Sequence, residues 1–175
     1  MIVLMAGLPG TGKTTLARSL AEHFSGTVLN KDEIRAALFA AADIEYSSEQ
    51  DDLVQAVMLQ IAEFILKKDP ARLVFLDGRT FSRRYQIDCV LQLAERLQQP
   101  WRILECLCSE QTARLRIADQ QHPAKNRDFG LYLRVKARFE PITLAKTEID
   151  TEQTFAACLK RAKIGLEKQR LPPTA

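Results

Sequence analysis

Near the amino terminus the chain reads Gly7-Leu8-Pro9-Gly10-Thr11-Gly12-Lys13-Thr14, a complete G-x-x-x-x-G-K-S/T motif. It follows the apolar run Met1 to Ala6 and opens a segment in which Leu16, Leu20 and Phe24 recur at helical spacing. This order predicts a tight glycine turn between a buried strand and a helix. Gly7, Gly10 and Gly12 let the backbone come close to an anion, and the turn, Leu8, Pro9 and Thr11 included, frames it with successive N–H groups from every residue but Pro9. The helix N-terminus adds its positive end. Lys13 is spaced to reach the β- and γ-phosphates of a nucleotide, Thr14 to place its hydroxyl on Mg²⁺, and Thr15 to donate one more hydrogen bond to a phosphate. A glycine turn that merely precedes a helix is the plainer reading, but the full motif in its strand-to-helix setting outweighs it.

The rest of the chain alternates in the same way. Strands are predicted at 1–6, 27–29, 73–76, 103–108 and 144–149. Helices are predicted at 13–24, from about Asp32, and at 49–68, 83–98, 131–139 and 152–169, with one more after a Ser109 cap. Asp51 and Asp52 at the start of the 49–68 helix, with Lys67 and Lys68 at its end, match the order that complements a helix dipole. Leu73 to Leu76 is continuously apolar, as a strand buried on both faces requires. The implied fold is α/β, three layers deep, with a mainly parallel five-stranded sheet and helices on both faces. Ligands then bind at the carboxyl edge of the strands. A single domain over 1–170 is expected, with a tail at 171–175.

A length of 175 residues suits one core. No apolar run approaches the ~20 residues that span a bilayer. Residues 1–6 lack a basic leader, so a cytoplasmic protein is expected. Cys89, Cys106, Cys108 and Cys158 have no metal-ligand spacing and read as packing thiols. The net charge of +3 is too small to imply nucleic acid. Its distribution is uneven. Arg114, Arg116, Lys125, Arg127, Arg134, Lys136 and Arg138 face only Asp119 and Asp128 between 114 and 138. Seven basic against two acidic residues leave that segment five positive and the remainder two negative. It reads either as a solvated helical face or as a basic lid closing over phosphates, with Gly130 as a candidate hinge.

The stretch Asn30-Lys31-Asp32-Glu33 has a superficial likeness to the guanine-reading N-K-x-D motif, but its fourth residue is Glu33 and it follows the second strand, too early for a base pocket. Asp77 ends the apolar third strand, where an acid near Mg²⁺ is expected, and Gly78 stands where ATP-driven machines carry a water-polarising glutamate. Transfer to an acceptor other than water is therefore favoured. Asp32, at the same sheet edge, is placed to accept the proton of a substrate hydroxyl and aim its oxygen at the γ-phosphorus. The plainer reading makes it an N-cap worth about 1 kcal/mol. Arg35, one turn later, is a candidate partner for an anionic substrate group.

GLPGTGKTT, NKDEIR, VFLDGRTFSRR and a basic lid ending in RFEP occur in this order, and over residues 1–151 the chain resembles the P-loop kinases of the polynucleotide-kinase, zeta-toxin and small-molecule-kinase group. Many members are described as AAA-type ATP-binding proteins, and relatives include gluconate kinases and adenylyl-sulfate kinases. The resemblance implies an ATP- and Mg²⁺-dependent kinase in which Lys13 and Thr14 hold phosphates and metal. Asp32 would activate the acceptor and Arg35 would lie beside it. Asp77 and Arg79 would line the acceptor site, and Arg116, with Arg114 or Arg127, would supply the lid arginine. Polynucleotide kinase carries Asn near the position of Arg79 or Thr80, which speaks against a nucleic-acid acceptor here. The expectation is therefore transfer of the γ-phosphoryl of ATP to a small-molecule hydroxyl. A nucleic-acid 5′-hydroxyl kinase and a nucleotide-dependent switch without an acceptor are the alternatives. No membrane partner is expected.

Overall fold

A computed structural model describes residues 1–45, 47–119 and 128–167. Five strands, β1 (Ile2–Ala6), β2 (Thr27–Asn30), β3 (Val74–Asp77), β4 (Trp101–Leu107) and β5 (Thr147–Asp150), form one parallel sheet in the order β2-β3-β1-β4-β5. The helices are α1 (Lys13–Phe24), α2 (Lys31–Leu38), α3 (Ser48–Lys68), α4 (Arg84–Arg96), α5 (Glu110–Asp119), α6 (Phe129–Ala137) and α7 (Phe155–Glu167). A short 3₁₀ turn, Ala41–Asp43, precedes α3. This is the α/β P-loop NTPase fold.

The central strand explains the layering. Along β1 the side chains alternate between two cores. Ile2, Leu4 and Ala6 face Val54, Met58 and Ala62 of α3 and Ile87, Val90 and Leu93 of α4. Val3 and Met5 face Leu16, Ala17 and Leu20 of α1 and Cys158, Ala162 and Leu166 of α7. Every residue of β1 is buried, so only a run apolar on both faces can occupy it. A third, smaller cluster joins Ala113 and Ile117 of α5 to Tyr132 of α6, against Leu8 of the glycine turn.

The chain leaves β1 for β2, returns to β3 between them, and then crosses to β4 on the far side of β1. The direction of winding therefore changes between β1 and β3, where a crevice opens at the carboxyl edge. The turn after β1 and the residues after β3 meet there, joined by a hydrogen bond from the Gly7 N–H to the Thr80 carbonyl at 3.1 Å.

Most boundaries agree with the sequence reading. β4 starts earlier than expected, at Trp101, because Ile2 pairs with it in register. The second helix starts before Asp32, at Lys31. Gly130, the candidate hinge, lies inside the first turn of α6. Lys125, Arg127 and the 171–175 tail lie outside the described residues. Among those described, no helix is long and apolar enough to cross a membrane.

Candidate functional site

The turn between β1 and α1 takes a shape that depends on glycine. Gly7, Gly10 and Gly12 have φ of 129°, 78° and 77°. At Gly7 a side chain is excluded twice, by that φ and because a Cβ would overlap the Cys106 carbonyl oxygen of β4. The Thr11 hydroxyl donates to the Leu8 carbonyl at 2.8 Å, bracing the turn internally. Helix α1 then begins with Gly12 as N-cap, no side-chain cap and no acid in its first turn. Its first N–H groups are thus not satisfied by a capping side chain, and its dipole is not offset by a carboxylate. That is the arrangement an anion completes.

Lys13 is buried, and its ammonium lies over the turn, donating to the carbonyls of Gly7 at 2.8 Å and Leu8 at 2.7 Å. Thr14 is half-buried and Thr15 exposed in the first turn of α1. From the other side, Arg116 of α5 reaches the same turn. Its Nη1 lies 3.4 Å from the Gly10 carbonyl and 2.9 Å from Thr151 Oγ1, and its Nη2 donates to the Thr151 carbonyl at 2.7 Å. Arg114 points elsewhere, with its guanidinium 5.2 Å from the centre of the Phe129 ring. Lys136 pairs with Glu110 at 2.6 Å. Glu152, after β5, accepts from Ser109 at 2.6 Å and Thr112 at 2.5 Å. Those hydroxyls hold its carboxyl below the usual range, and they fix the base of α5 against the loop that carries Thr151.

Across the crevice, Asp77 closes β3 fully buried. Its Oδ2 accepts from Asn30 Nδ2 at 2.7 Å, whereas its Oδ1 has no hydrogen-bond partner among the described residues. A buried carboxylate oxygen left without a donor is costly unless something else binds it. A Mg²⁺ ion fits that chemistry, because it is commonly held by one or two carboxylates together with substrate phosphates rather than by a full protein cage. No group of three or more His, Cys, Asp or Glu among the described residues could hold a metal by itself.

Asp32 lies at the second position of α2, with its side chain 23% exposed at the mouth of the crevice. The cap is Asn30, whose Oδ1 accepts from the N–H groups of Asp32 and Glu33, so the Asp32 carboxylate is not consumed in capping. It pairs instead with Arg35 Nη1 at 2.9 Å. Arg35 is almost fully buried and also pairs with Asp51, which accepts from Lys31 Nζ at 2.6 Å. Arg79, also buried, donates to the Asp51 carbonyl at 2.7 Å and pairs with Asp52, whose carboxylate oxygens both lie 3.1 Å from the Tyr85 hydroxyl. The structure therefore joins Asp32, Arg35, Asp77 and Arg79 at one edge. It adds Asn30, Asp51, Asp52 and Tyr85, which the sequence reading had not assigned to the site.

The cysteines remain outside this chemistry. Cys106 lies beneath the turn, and burial pushes its thiol up to about 12. Cys89 is exposed on α4.

The fold and the glycine turn define a P-loop α/β protein. The chain belongs to the AAA domain family, whose profile matches residues 2–142. Solved structures with the same fold include a gluconokinase from Sinorhizobium meliloti 1021, 16% identical at a TM-score of 0.70 over 95% of this chain and 91% of that one. Kti12 from Chaetomium thermophilum, solved with ADP-AlF3, is 18% identical at a TM-score of 0.69 over 94% and 97%. An APS kinase from Mycobacterium tuberculosis, solved with AMPPNP and APS, is 16% identical at 0.69 over 95% and 96%. No curated protein matches the sequence.

Proposed function

We propose that the protein transfers the γ-phosphoryl of ATP to a hydroxyl of a small molecule. The observation that carries this reading is the pairing, across one crevice, of an α1 N-terminus without a side-chain cap beside Lys13 with the carboxylate of Asp32. The turn N–H groups of residues 7–15 and the Lys13 ammonium would bind the phosphates. Thr14 and Asp77 would hold Mg²⁺, which when bound neutralises charge on the β- and γ-phosphates. Arg116 already contacts the turn and would donate to the γ-phosphoryl as its charge develops. Asp32, oriented by Arg35, would take the proton of the acceptor hydroxyl. The acceptor oxygen bonds to the γ-phosphorus, the bond to the β-phosphate oxygen breaks, and ADP leaves. Because the transition state is loose, aiming the hydroxyl contributes more than strong basicity.

The wall beside Asp32 supports an acceptor gripped through hydroxyls. Lys31, Arg35 and Arg79 are each paired with an acid of α2 or α3, so an anionic group of the substrate would have to displace a carboxylate to reach them. Nucleic acid is disfavoured because, in the basic segment, Arg114 lies on the Phe129 ring, Lys136 pairs with Glu110, and Arg116 is turned to the glycine turn. A gluconokinase and an APS kinase, both named for small-molecule acceptors, share the fold.

The test is ADP release from ATP and Mg²⁺ in the presence of sugars, nucleosides, amino alcohols and oligonucleotides. Acceleration by a small hydroxyl compound, with phosphate found on it, is expected. Slow hydrolysis that no acceptor accelerates would favour a nucleotide-dependent switch. Oligonucleotide phosphorylation with steep salt dependence would favour a 5′-hydroxyl kinase.

A further inference from the structure

Asn30 ends β2 directly opposite Asp77 of β3 in the parallel register. Its amide is buried, and both ends are used. The oxygen accepts from the N–H of Asp32 at 3.0 Å and of Glu33 at 3.2 Å, and the nitrogen donates to Asp77 Oδ2 at 2.7 Å. The partners fix which end is which, since two N–H donors require the oxygen and a carboxylate requires the nitrogen. The backbone around it is shaped to keep this contact. Gly78 has φ of 82°, and a Cβ there would lie 2.9 Å from the Lys31 nitrogen and 3.3 Å from Asn30 Oδ1.

A simple helix cap has no need of such an arrangement. Serine, threonine and aspartate cap as asparagine does. Asparagine differs in that it accepts from a helix with one end while donating to an acid with the other. The donated bond engages Asp77 Oδ2 and leaves Oδ1 as the oxygen without a hydrogen-bond partner among the described residues. The accepted bonds set the first turn of α2, and with it the position of the Asp32 carboxylate.

We propose that Asn30 is a positioning residue that locks the metal-side acid Asp77 and the acceptor-side acid Asp32 into one geometry. The inference rests on the phosphotransfer reading and adds to it a mechanical link between the two halves of the site.

The test compares Asn30→Ser, which keeps a capping oxygen and removes the donor to Asp77, with wild type. A fluorescent ATP analogue is titrated without magnesium and then at rising magnesium, with unfolding followed in parallel. Loss of one hydrogen bond to a charged group is expected to raise the half-maximal magnesium concentration about tenfold or more. The magnesium-free affinity, which reports the turn and Lys13, is expected to change far less. In a double-mutant cycle with Asp77→Asn, the two effects should overlap rather than add. Asn30→Thr repeats the measurement if the serine variant fails to fold. A wild-type magnesium requirement in a folded capping variant, or full additivity with Asp77→Asn, overturns the inference while leaving phosphotransfer standing. A wild-type protein that binds no nucleotide removes the phosphotransfer reading, and this inference with it.

Discussion

Replacing Asp51 with alanine separates two accounts of the same residue. As one more acid in the first turn of α3 it would contribute about 0.3–1 kcal/mol through the helix dipole. The structure gives it a heavier role, because its carboxylate pairs with Lys31 at 2.6 Å and with Arg35, whose side chain is only 2% exposed. Breaking a buried pair by removing one partner costs about 3–5 kcal/mol. Two observations lower that figure here. The Asp51 side chain is 28% exposed, and Arg35 keeps Asp32 at 2.9 Å. A loss of about 2–3 kcal/mol is expected, equivalent to a fall in Tm of about 4–12 °C for a chain of this size. Urea unfolding and calorimetry measure it, with Glu49→Ala as the comparison, since Glu49 is an exposed acid in the same turn. If Asp51→Ala costs no more than Glu49→Ala, the counter-ion argument fails and the wall beside Asp32 is not held as described.

Three other outcomes follow from the same geometry. Gly7→Ala should lower stability by about 1–3 kcal/mol from the φ alone. Its contact with the Cys106 carbonyl should also abolish thermal stabilisation by ATP, which a thermal shift assay reads. Arg116→Ala should cut turnover by about a thousandfold or more if it acts as the lid arginine, while Arg114→Ala, which removes a contact with Phe129 rather than with the glycine turn, should cost far less. Glu140 accepts from the Arg84 N–H at 2.7 Å and from Arg83 at 2.9 Å, and these bonds, the backbone one first, lower its pKa from 4.5. A depressed carboxyl stabilises the fold above its unfolded value and loses that contribution as pH falls through the folded one. The stability gap between wild type and Glu140→Gln should therefore be flat near neutrality and shrink below about pH 4.5 in pH-dependent urea unfolding.

What the sequence made legible was local. The glycine turn has fixed spacing, and the 13–24 helix starts at Lys13 and ends at Phe24 as the apolar repeat implies. The alternation of short apolar runs with helical repeats was enough for a parallel sheet. Asn30 was legible in part, since asparagine is among the strongest N-caps, yet the reading began the helix near Asp32. Its bond to Asp77 spans 47 residues, and no local pattern encodes that. The same holds for Asp51, whose partners Lys31 and Arg35 lie 20 and 16 residues away. In sequence it was only an acid at a helix start. Arg114 and Arg116 are two positions apart on α5, so they leave the helix on different faces. Choosing between them required knowing which face meets the turn, a tertiary fact.

A crystal structure with magnesium and a non-hydrolysable ATP analogue bears on the phosphotransfer account at its root. The β- and γ-phosphates should sit within hydrogen-bond reach of the N–H groups of residues 7–15 and of Lys13 Nζ, with Asp77 Oδ1 turned toward the metal and the γ-phosphorus open toward Asp32. A nucleotide bound away from the glycine turn, or a γ-phosphate screened from Asp32 by packed side chains, would contradict it.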